Sequence, residues 1–99
     1  MEQEPTEPSG ELGQRLLSES EWAQIGRRLR LSDRELQVTR LIFDDAKDTT
    51  IADTLAISPH TVHTHQDRLH RKLNVCSRVG VLLRVFAEYK NLVAPRASP

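Results

Sequence analysis

The chain has 99 residues, of which 37% are hydrophobic and 4% aromatic. A chain of this length forms one small domain with a modest core, which leaves little room for an enclosed enzyme active site. Its single cysteine, Cys76, excludes an internal disulfide and a cysteine-rich zinc site, and it points to a protein of the cytoplasm. The longest apolar stretch, residues 79–83, is far shorter than the roughly 20 residues that span a bilayer, and the N-terminus shows no signal peptide.

The formal net charge of the whole chain is zero, but the charges are unevenly distributed. Residues 1–21 hold six Glu and one Arg, residues 22–57 are balanced, and residues 58–99 hold seven Lys or Arg against two acids. All four histidines lie in this last, basic part. The asymmetry predicts an acidic tail joined to a basic working surface. Proline, glycine and small polar residues cluster at the two ends, so residues 1–17 and 93–99 are predicted to be flexible tails.

Alternating strand patterns are almost absent between the tails, so the fold class is predicted to be all-α. The first helix is short and is predicted within residues 18–30. Ser18 and Glu21 have the spacing of a capping box, and Trp22, Ile25 and Leu29 then recur at helical intervals.

The second helix has a stronger start signal than the first. Ser32 and Glu35 form a capping box, while Leu31 and Leu36 have the spacing of a hydrophobic staple. The helix is therefore expected to begin directly after Ser32 and to end near residues 44–45.

Three further helices are predicted after this point. The first is only about seven residues long, is capped by Asp48, and is too short to be stable without neighbours. After a tight turn, the Ser58-Pro59 pair has the residue types preferred at the N-cap and first helical position, and it opens a helix over residues 59–73. Ser77 caps the last helix, which is predicted to end near residue 90.

The short helix, the tight turn and the longer helix together have the sequence form of a helix-turn-helix, here residues 46–65. The longer helix has one thin apolar stripe, and the rest of its circumference is polar and basic. The second helix of such a motif lies in the DNA major groove. Positive charge attracts it to phosphate, and short polar side chains can approach the base edges.

The same region resembles the LuxR-type (NarL/FixJ, GerE) helix-turn-helix domain over residues 31–85 without a gap. The motifs that carry the resemblance are Leu31-Ser32-x-Arg34-Glu35, Ile51-Ala52-x-x-Leu55, Ile57-Ser58-Pro59-x-Thr61-Val62-x-Thr64-His65, Arg71-Lys72-Leu73-x-Val75 and Ser77-Arg78. The resemblance implies a four-helix DNA-binding domain, here residues 31–92, preceded by an extra short N-terminal helix. In that family the third helix reads the major groove and the fourth commonly mediates dimerisation.

The resemblance also implies which side chains meet DNA. The positions that match the family's base-reading face are His63, Thr64 and Asp67, with His60 and Arg68 adjacent. Phosphate contacts are implied for Thr49, Thr50, Ser58, Thr61, Arg71, Lys72 and Arg78. The Ser and Thr residues of this second set stand at predicted helix starts, where free N–H groups favour anions, and this supports them independently of the resemblance.

Several residues depart from the family's pattern. Ala56 and Asn74 stand where the family usually has glycine; Asn tolerates a left-handed backbone, whereas Ala there costs roughly 1–2 kcal/mol. His63 replaces a typical Lys or Arg, and Asp67 stands where a basic or polar residue is common. Asp67 can accept a hydrogen bond from cytosine N4 and so act in specificity, or it can simply pair with Arg71 four residues on.

The last helix is apolar over more of its circumference than one core face requires. Its apolar residues are Val79, Val81, Leu82, Leu83, Val85, Phe86 and Tyr89. Either the helix is deeply buried in a small core, or one side forms a two-fold interface with a second copy. We assign Val79, Leu82, Leu83 and Phe86 to the partner side, which predicts a homodimer.

These observations predict a bacterial transcription regulator that binds double-stranded DNA as a dimer, with inverted half-sites about one helical turn apart. The cytoplasm, at the nucleoid, is the expected location, and RNA polymerase is a further candidate partner. Two alternatives stay open: a sigma-factor-like promoter-recognition domain, and a protein-interaction module that has the same fold but little DNA affinity. The chain is either a stand-alone regulator or a fragment of a larger one.

No enzyme activity, cofactor or metal is expected. No nucleophile with an adjacent base, pair of carboxylates in a pocket or phosphate-binding glycine loop can be placed in the sequence. His60 and His63 do not predict a metal site, because His65 is turned away from them on a helix and no other ligand has suitable spacing.

Overall fold

A computed structural model describes residues 13–94; the predicted tails outside this range, residues 1–12 and 95–99, lie outside the described residues. The described part begins with a turn of 3-10 helix, Gln14–Leu16. Five α-helices follow in chain order and no strand is present within residues 13–94: α1 (Glu19–Arg28), α2 (Asp33–Phe43), α3 (Asp48–Leu55), α4 (Pro59–Leu73) and α5 (Arg78–Val93). The all-α fold class is confirmed.

Serine side chains begin four of the five helices, as the sequence predicts. Ser18 and Ser32 each form a complete capping box, in which the serine Oγ accepts from the backbone N–H of Glu21 or Glu35 and that glutamate accepts from the serine N–H. Ser58 and Ser77 cap α4 and α5 through their hydroxyls, which accept from the backbone N–H of Thr61 and of Gly80. These helix starts are confirmed because the capping signal is local and needs no distant partner.

The expected cap of α3 is wrong. Lys47 occupies the N-cap position and makes no side-chain cap hydrogen bond, while Asp48 is the first residue of the helix itself. The Asp48 carboxylate is turned toward α4, where its Oδ1 accepts from Gln66 Nε2 at 3.0 Å. A tertiary hydrogen bond has therefore replaced the local cap.

The core contains side chains from all five helices. Its fully buried members are Trp22, Ile25, Val38, Thr39, Ile51, Val62, Leu69, Val81 and Val85. Trp22 meets the ring of Phe43 edge to face, with the two ring centroids 5.0 Å apart, and the Arg40 guanidinium lies 5.5 Å from the centroid of the Trp22 ring. Helix α1 thus contributes its buried face to the core of the domain.

Gly13 and Leu17, predicted to belong to the N-terminal tail, pack against the domain instead. Leu17 is buried in the core, and Gly13 is so close to the end of α2 that a Cβ on it would lie 1.5 Å from the carbonyl oxygen of Phe43. At the other end, α5 continues to Val93, three residues beyond its predicted end. Both differences come from contacts with distant residues, which a local excess of small and polar residues does not reveal.

Four helices are followed by left-handed residues that are not glycine, namely Arg30, Asp45, Ala56 and Asn74, and the last two are the C-caps of their helices. Ala56 follows α3 with φ 58° and ψ 45°, and Asn74 follows α4 with φ 59° and ψ 48°. The left-handed conformation places the Cβ of an L-residue too near the following carbonyl, whereas Asn tolerates it through local hydrogen bonding. Ala56 is therefore the strained member of this pair.

We expect Ala56→Gly to stabilise the protein. Glycine removes a strain of roughly 1–2 kcal/mol but makes the unfolded chain more flexible, so the net gain in the free energy of unfolding is about 0.5–1 kcal/mol. Chemical unfolding followed by circular dichroism measures it, and Asn74→Gly is the matched control, with a smaller gain. A decrease in stability for Ala56→Gly would show that the αL residue carries no strain.

Candidate nucleic-acid interface

Helices α3 and α4 are held at a fixed angle by contacts on both sides of their turn. The backbone N–H of Ile57 donates to the carbonyl of Ala52 at 2.9 Å and closes the turn. Buried Ile51 on α3 and buried Val62 on α4 lie in the core behind it. The hydrogen bond from Gln66 to Asp48 then joins the first turn of α3 to the middle of α4. Gln66 is itself buried, so this polar link is part of the packing.

Helix α4 separates its residues into an inner and an outer stripe. The buried residues are Val62, Gln66, Leu69 and Leu73, which recur every three or four positions. The opposite side carries His60, His63, Thr64, Asp67, Arg68 and Arg71, of which Thr64 is partly buried and the others are exposed. The structure thus brings all five predicted base-reading residues onto one side of one helix.

Two of these outer residues have partners within the protein. His63 Nε2 lies 3.5 Å from Asp48 Oδ2, which forms an ion pair when the imidazole is protonated. The Thr64 hydroxyl donates to the carbonyl of His60 at 3.2 Å, so it keeps its acceptor lone pairs for a ligand. Asp67 forms no ion pair with Arg71 within the described part of the chain, which leaves both side chains accessible.

The predicted phosphate contacts at helix starts are at the surface. Thr49 and Thr50 are exposed in the first turn of α3, where no side chain caps the free N–H groups. At the start of α4, Ser58 Oγ accepts from the Thr61 N–H at 3.0 Å and lies 2.9 Å from the Thr61 hydroxyl. The start of α3 thus leaves its N–H groups uncapped by a side chain, whereas the Thr61 N–H at the start of α4 is already bound to Ser58.

Lys72, also predicted to contact phosphate, is part of an internal network. Its ammonium group donates to Glu35 Oε1 at 2.7 Å and to the carbonyl of Arg30 at 2.8 Å. Burial alone raises the pKa of the Glu35 carboxyl, but the hydrogen bonds from Lys72 and the Ser32 backbone, with the charge of Lys72, hold that pKa below its ordinary value. Glu35 is thus a helix cap and an ion-pair partner at once, and it ties α2 to the end of α4.

We expect Glu35→Gln to lower stability at neutral pH and to flatten its pH dependence. A carboxyl whose pKa is lowered by folding stabilises the folded state above its unfolded pKa, and that contribution is lost as the pH falls below 4.5 and through the folded pKa. The loss at pH 7 should be about 1–2 kcal/mol, as for a hydrogen bond to a charged group. Urea unfolding at pH 7 and near pH 3.5 measures both effects.

The matched control for this prediction is Asp53→Asn, which neutralises an exposed carboxylate on α3 that has no salt bridge within residues 13–94. If Glu35→Gln and Asp53→Asn give the same pH profile, the Glu35–Lys72 pair does not stabilise the fold.

Arg78 is held by the loop before α3. Its guanidinium donates to the carbonyl of Ala46, and its Nε is buried without a hydrogen-bond partner. The side chain therefore links the start of α5 to the segment that leads into the helix-turn-helix. Arg68 and Arg71, in contrast, are exposed and form no salt bridge within the described residues.

The predicted dimerisation residues divide between surface and core. Val79, Leu83 and Phe86 are 61%, 64% and 56% exposed, and their spacing of four and three puts them on one face of α5. Leu82 is only partly exposed and packs against the core. The opposite face of α5 is buried through Val81 and Val85. Three of the four residues thus form an exposed apolar stripe.

Asp48, Gln66 and Glu35 fix α4 against α3 and α2, and the sequence pattern predicts this role for none of them. The sequence pattern assigns Asp48 and Glu35 only to helix capping and gives Gln66 no role. Their partners lie 18 and 37 residues away in the chain. A polar residue on the inner stripe of an amphipathic helix, as Gln66 is, was the one available signal.

One family model matches more than half of the chain. Residues 29–85 match the family model described as "Bacterial regulatory proteins, luxR family". The chain belongs to the LuxR family of bacterial regulatory proteins. This is a family of DNA-binding transcription regulators, and helix α1 lies outside the matched residues.

The curated relatives are response regulators. The response regulator GacA of Pseudomonas viridiflava is 42% identical over 53 residues, which cover 54% of this chain and 25% of GacA. GacA of Pseudomonas aeruginosa is 40% identical over 53 residues, which again cover 54% of this chain and 25% of GacA. The chain therefore spans about a quarter of the length of these relatives. No solved structure gives a significant match.

No helix in residues 13–94 is long and apolar enough to cross a membrane. The same residues contain no group of three or more His, Cys, Asp or Glu side chains that could hold a metal ion.

Proposed function

We propose that this protein is a sequence-specific double-stranded DNA-binding transcription regulator that places α4 in the major groove. The observation that carries the proposal is the division of α4 into a buried stripe and an outer stripe of exposed imidazole, carboxylate and guanidinium groups. A major groove admits one α-helix, and each base pair presents there a distinct pattern of donors and acceptors. A helix that is fixed by its inner stripe can present its outer stripe to that pattern.

The base-reading residues in this proposal are His60, His63, Thr64, Asp67 and Arg68. Arg68 supplies two parallel donors suited to guanine O6 and N7, and Asp67 supplies an acceptor for cytosine N4. His60 and His63 lie nearer the start of the helix and can donate or accept according to tautomer. Because Asp67 accepts and Arg68 donates, the pair favours a site in which one base offers a donor and a neighbouring base offers acceptors.

The phosphate-contacting residues in this proposal lie on either side of that stripe. Thr49, Thr50, Ser58 and Thr61 offer hydroxyl and backbone donors at the starts of α3 and α4, and Arg71 offers an exposed cation. Lys72 and Arg78 remain in the proposed set. Because both are held by internal partners, their main contribution is to position the helices and to add positive potential near the DNA.

A second copy of the chain completes the proposed DNA-bound form. Val79, Leu83 and Phe86 form an apolar stripe that suits a self-complementary two-fold contact, with Leu82 at its edge. Such a dimer reads inverted half-sites about one helical turn apart. The proposed domain comprises residues 31–92, with the helix-turn-helix at 46–65, and acts at the nucleoid in the cytoplasm, with RNA polymerase as a further partner.

Selection from a pool of duplexes with a randomised central region tests this function. The full chain should enrich duplexes that share a short inverted motif, with its two halves about 10 base pairs apart. Val79→Asp with Leu83→Asp is the variant control, and it should enrich single half-sites or bind more weakly. A pool that stays random after repeated rounds would contradict sequence-specific binding and favour the protein-interaction module.

We expect Asp67→Lys to strengthen binding to random-sequence DNA while reducing the preference for the selected site. The change removes a charge that phosphates repel and adds one that they attract. The plot of log affinity against log salt should therefore become steeper by about 1. Fluorescence anisotropy at several salt concentrations measures the slope, and Asp67→Asn should give an intermediate value. An unchanged slope would show that position 67 does not face the DNA.

A further inference from the structure

A shallow, wide-open groove of about 530 Å³ lies beside the C-terminal half of α4, lined by Glu35, Arg68, Arg71 and Lys72. Within it, the charge of Lys72 is balanced by Glu35, 2.7 Å away. Arg68 and Arg71 therefore supply the net positive charge of the groove. Neither arginine has a salt bridge within residues 13–94, so both are accessible to a negatively charged ligand.

The backbone of a third arginine, Arg30, lies next to the groove. Lys72 Nζ donates to the main-chain carbonyl of Arg30 at 2.8 Å, which places Arg30 directly beside the end of α4. The Arg30 side chain is exposed. The exposed carboxylates closest in sequence to the lining residues are Asp33 and Asp67, which face three exposed arginines, Arg30, Arg68 and Arg71.

We propose that the acidic N-terminal segment of this same chain, residues 1–12, docks in this groove and competes with DNA for Arg68 and Arg71. The segment contains Glu2, Glu4, Glu7 and Glu11 and no Lys or Arg, so its charge is complementary to that of the groove. Docking of the segment rests on this charge pattern and on where the segment is attached. The competition with DNA also rests on the proposed function.

The attachment point lies within easy reach of the groove. Gly13 packs against the carbonyl of Phe43 at the C-terminal end of α2, whereas Glu35 lies near the N-terminal end of the same helix. At 1.5 Å per residue, these two points on α2 are roughly 12 Å apart along its axis. Twelve extended residues span up to about 40 Å. A segment tethered this closely has an effective concentration in the millimolar range at the groove.

The test replaces all four glutamates of the segment with glutamine in the full chain. We expect backbone amide NMR shifts of residues 68–72 to change without any DNA present, because the docked charges are removed. We also expect random-sequence duplex to bind about 3–10-fold tighter at about 50 mM salt, with a smaller difference near 200 mM. A control chain with the four glutamates replaced by aspartate keeps the charge and should behave like the native protein.

The amide shifts test docking of the segment, and the DNA affinity tests its competition with DNA. If the amide shifts of residues 68–72 are the same in the native and glutamine chains, docking is overturned, whatever happens to DNA affinity. If DNA affinity rises without those shift changes, the effect is a long-range field, and docking is again overturned. If the shifts change but neither chain binds DNA, docking is supported and the proposed function fails.

Discussion

Trp22→Ala is expected to lower the free energy of unfolding by about 3–5 kcal/mol, the cost of removing a large aromatic side chain from a core. Trp22 is fully buried, and its ring packs edge to face on Phe43 at 5.0 Å with Arg40 close by. The substitution leaves a cavity between α1 and α2 and removes these contacts. Because domains of this size are stable by only about 5–15 kcal/mol, much of the stability should be lost.

Urea unfolding monitored by far-ultraviolet circular dichroism measures this change, since the variant lacks the only tryptophan. Trp22→Phe is the first control and should cost less, because it keeps an aromatic ring in the site. Leu16→Ala is the second control, since Leu16 is 68% exposed and should change stability little. A loss below about 1 kcal/mol for Trp22→Ala would mean that α1 is not part of the cooperative core.

The position of α1 matters because it lies before the residues that match the family. Besides Trp22, buried Ile25 and Leu29 belong to the same core cluster as the helix-turn-helix. An ion pair between Arg28 and Glu88, 2.5 Å apart, joins the end of α1 to α5. We therefore regard α1 as a component of the folded unit, and a fragment without it would expose a large part of the core.

Local signals predicted most of the helices. The capping boxes at Ser18 and Ser32 and the Ser58-Pro59 pair depend on residues three or four positions apart, and the structure confirms them. The left-handed ends at Ala56 and Asn74 follow from the short turns after α3 and α4. The two stripes of α4 follow from its helical period alone.

Contacts between distant residues were beyond sequence reasoning. The partners of Lys72 and Arg78 are a buried carboxylate and a backbone carbonyl more than 30 residues away, and neither residue type reveals them. The packing of Gly13 on α2 was missed for the same reason, because a glycine among polar residues is typical of a tail. The structure changes the interpretation of Lys72 and Arg78 most, since their charges have structural partners.

Arg68→Ala with Arg71→Ala should cause the largest loss of DNA affinity among changes on the exposed surface. Both guanidinium groups lie on the outer stripe of α4 and have no salt-bridge partner within the described residues, so the change removes the proposed DNA contacts without breaking an internal ion pair. Two lost contacts should reduce the salt slope by about 2 and weaken binding by at least about tenfold at low salt. Lys72 is left intact because its removal would strand the buried Glu35 carboxylate.

The matched control is Arg15→Ala with Arg84→Ala, which removes the same charge from two exposed arginines outside α4. It separates contact by α4 from the general attraction between arginine charges and DNA, because both double variants change the net charge equally. Unfolding curves of both double variants should overlay that of the native chain.

Fluorescence anisotropy of a labelled random-sequence duplex, titrated with the native chain and both double variants at about 50 and 200 mM salt, tests most directly whether α4 binds DNA. We expect binding by the native chain to weaken steeply with salt, the α4 variant to lose affinity and slope, and the control to keep most of both. Equal losses in the two variants, or no binding by the folded native chain at low salt, would contradict DNA binding by α4.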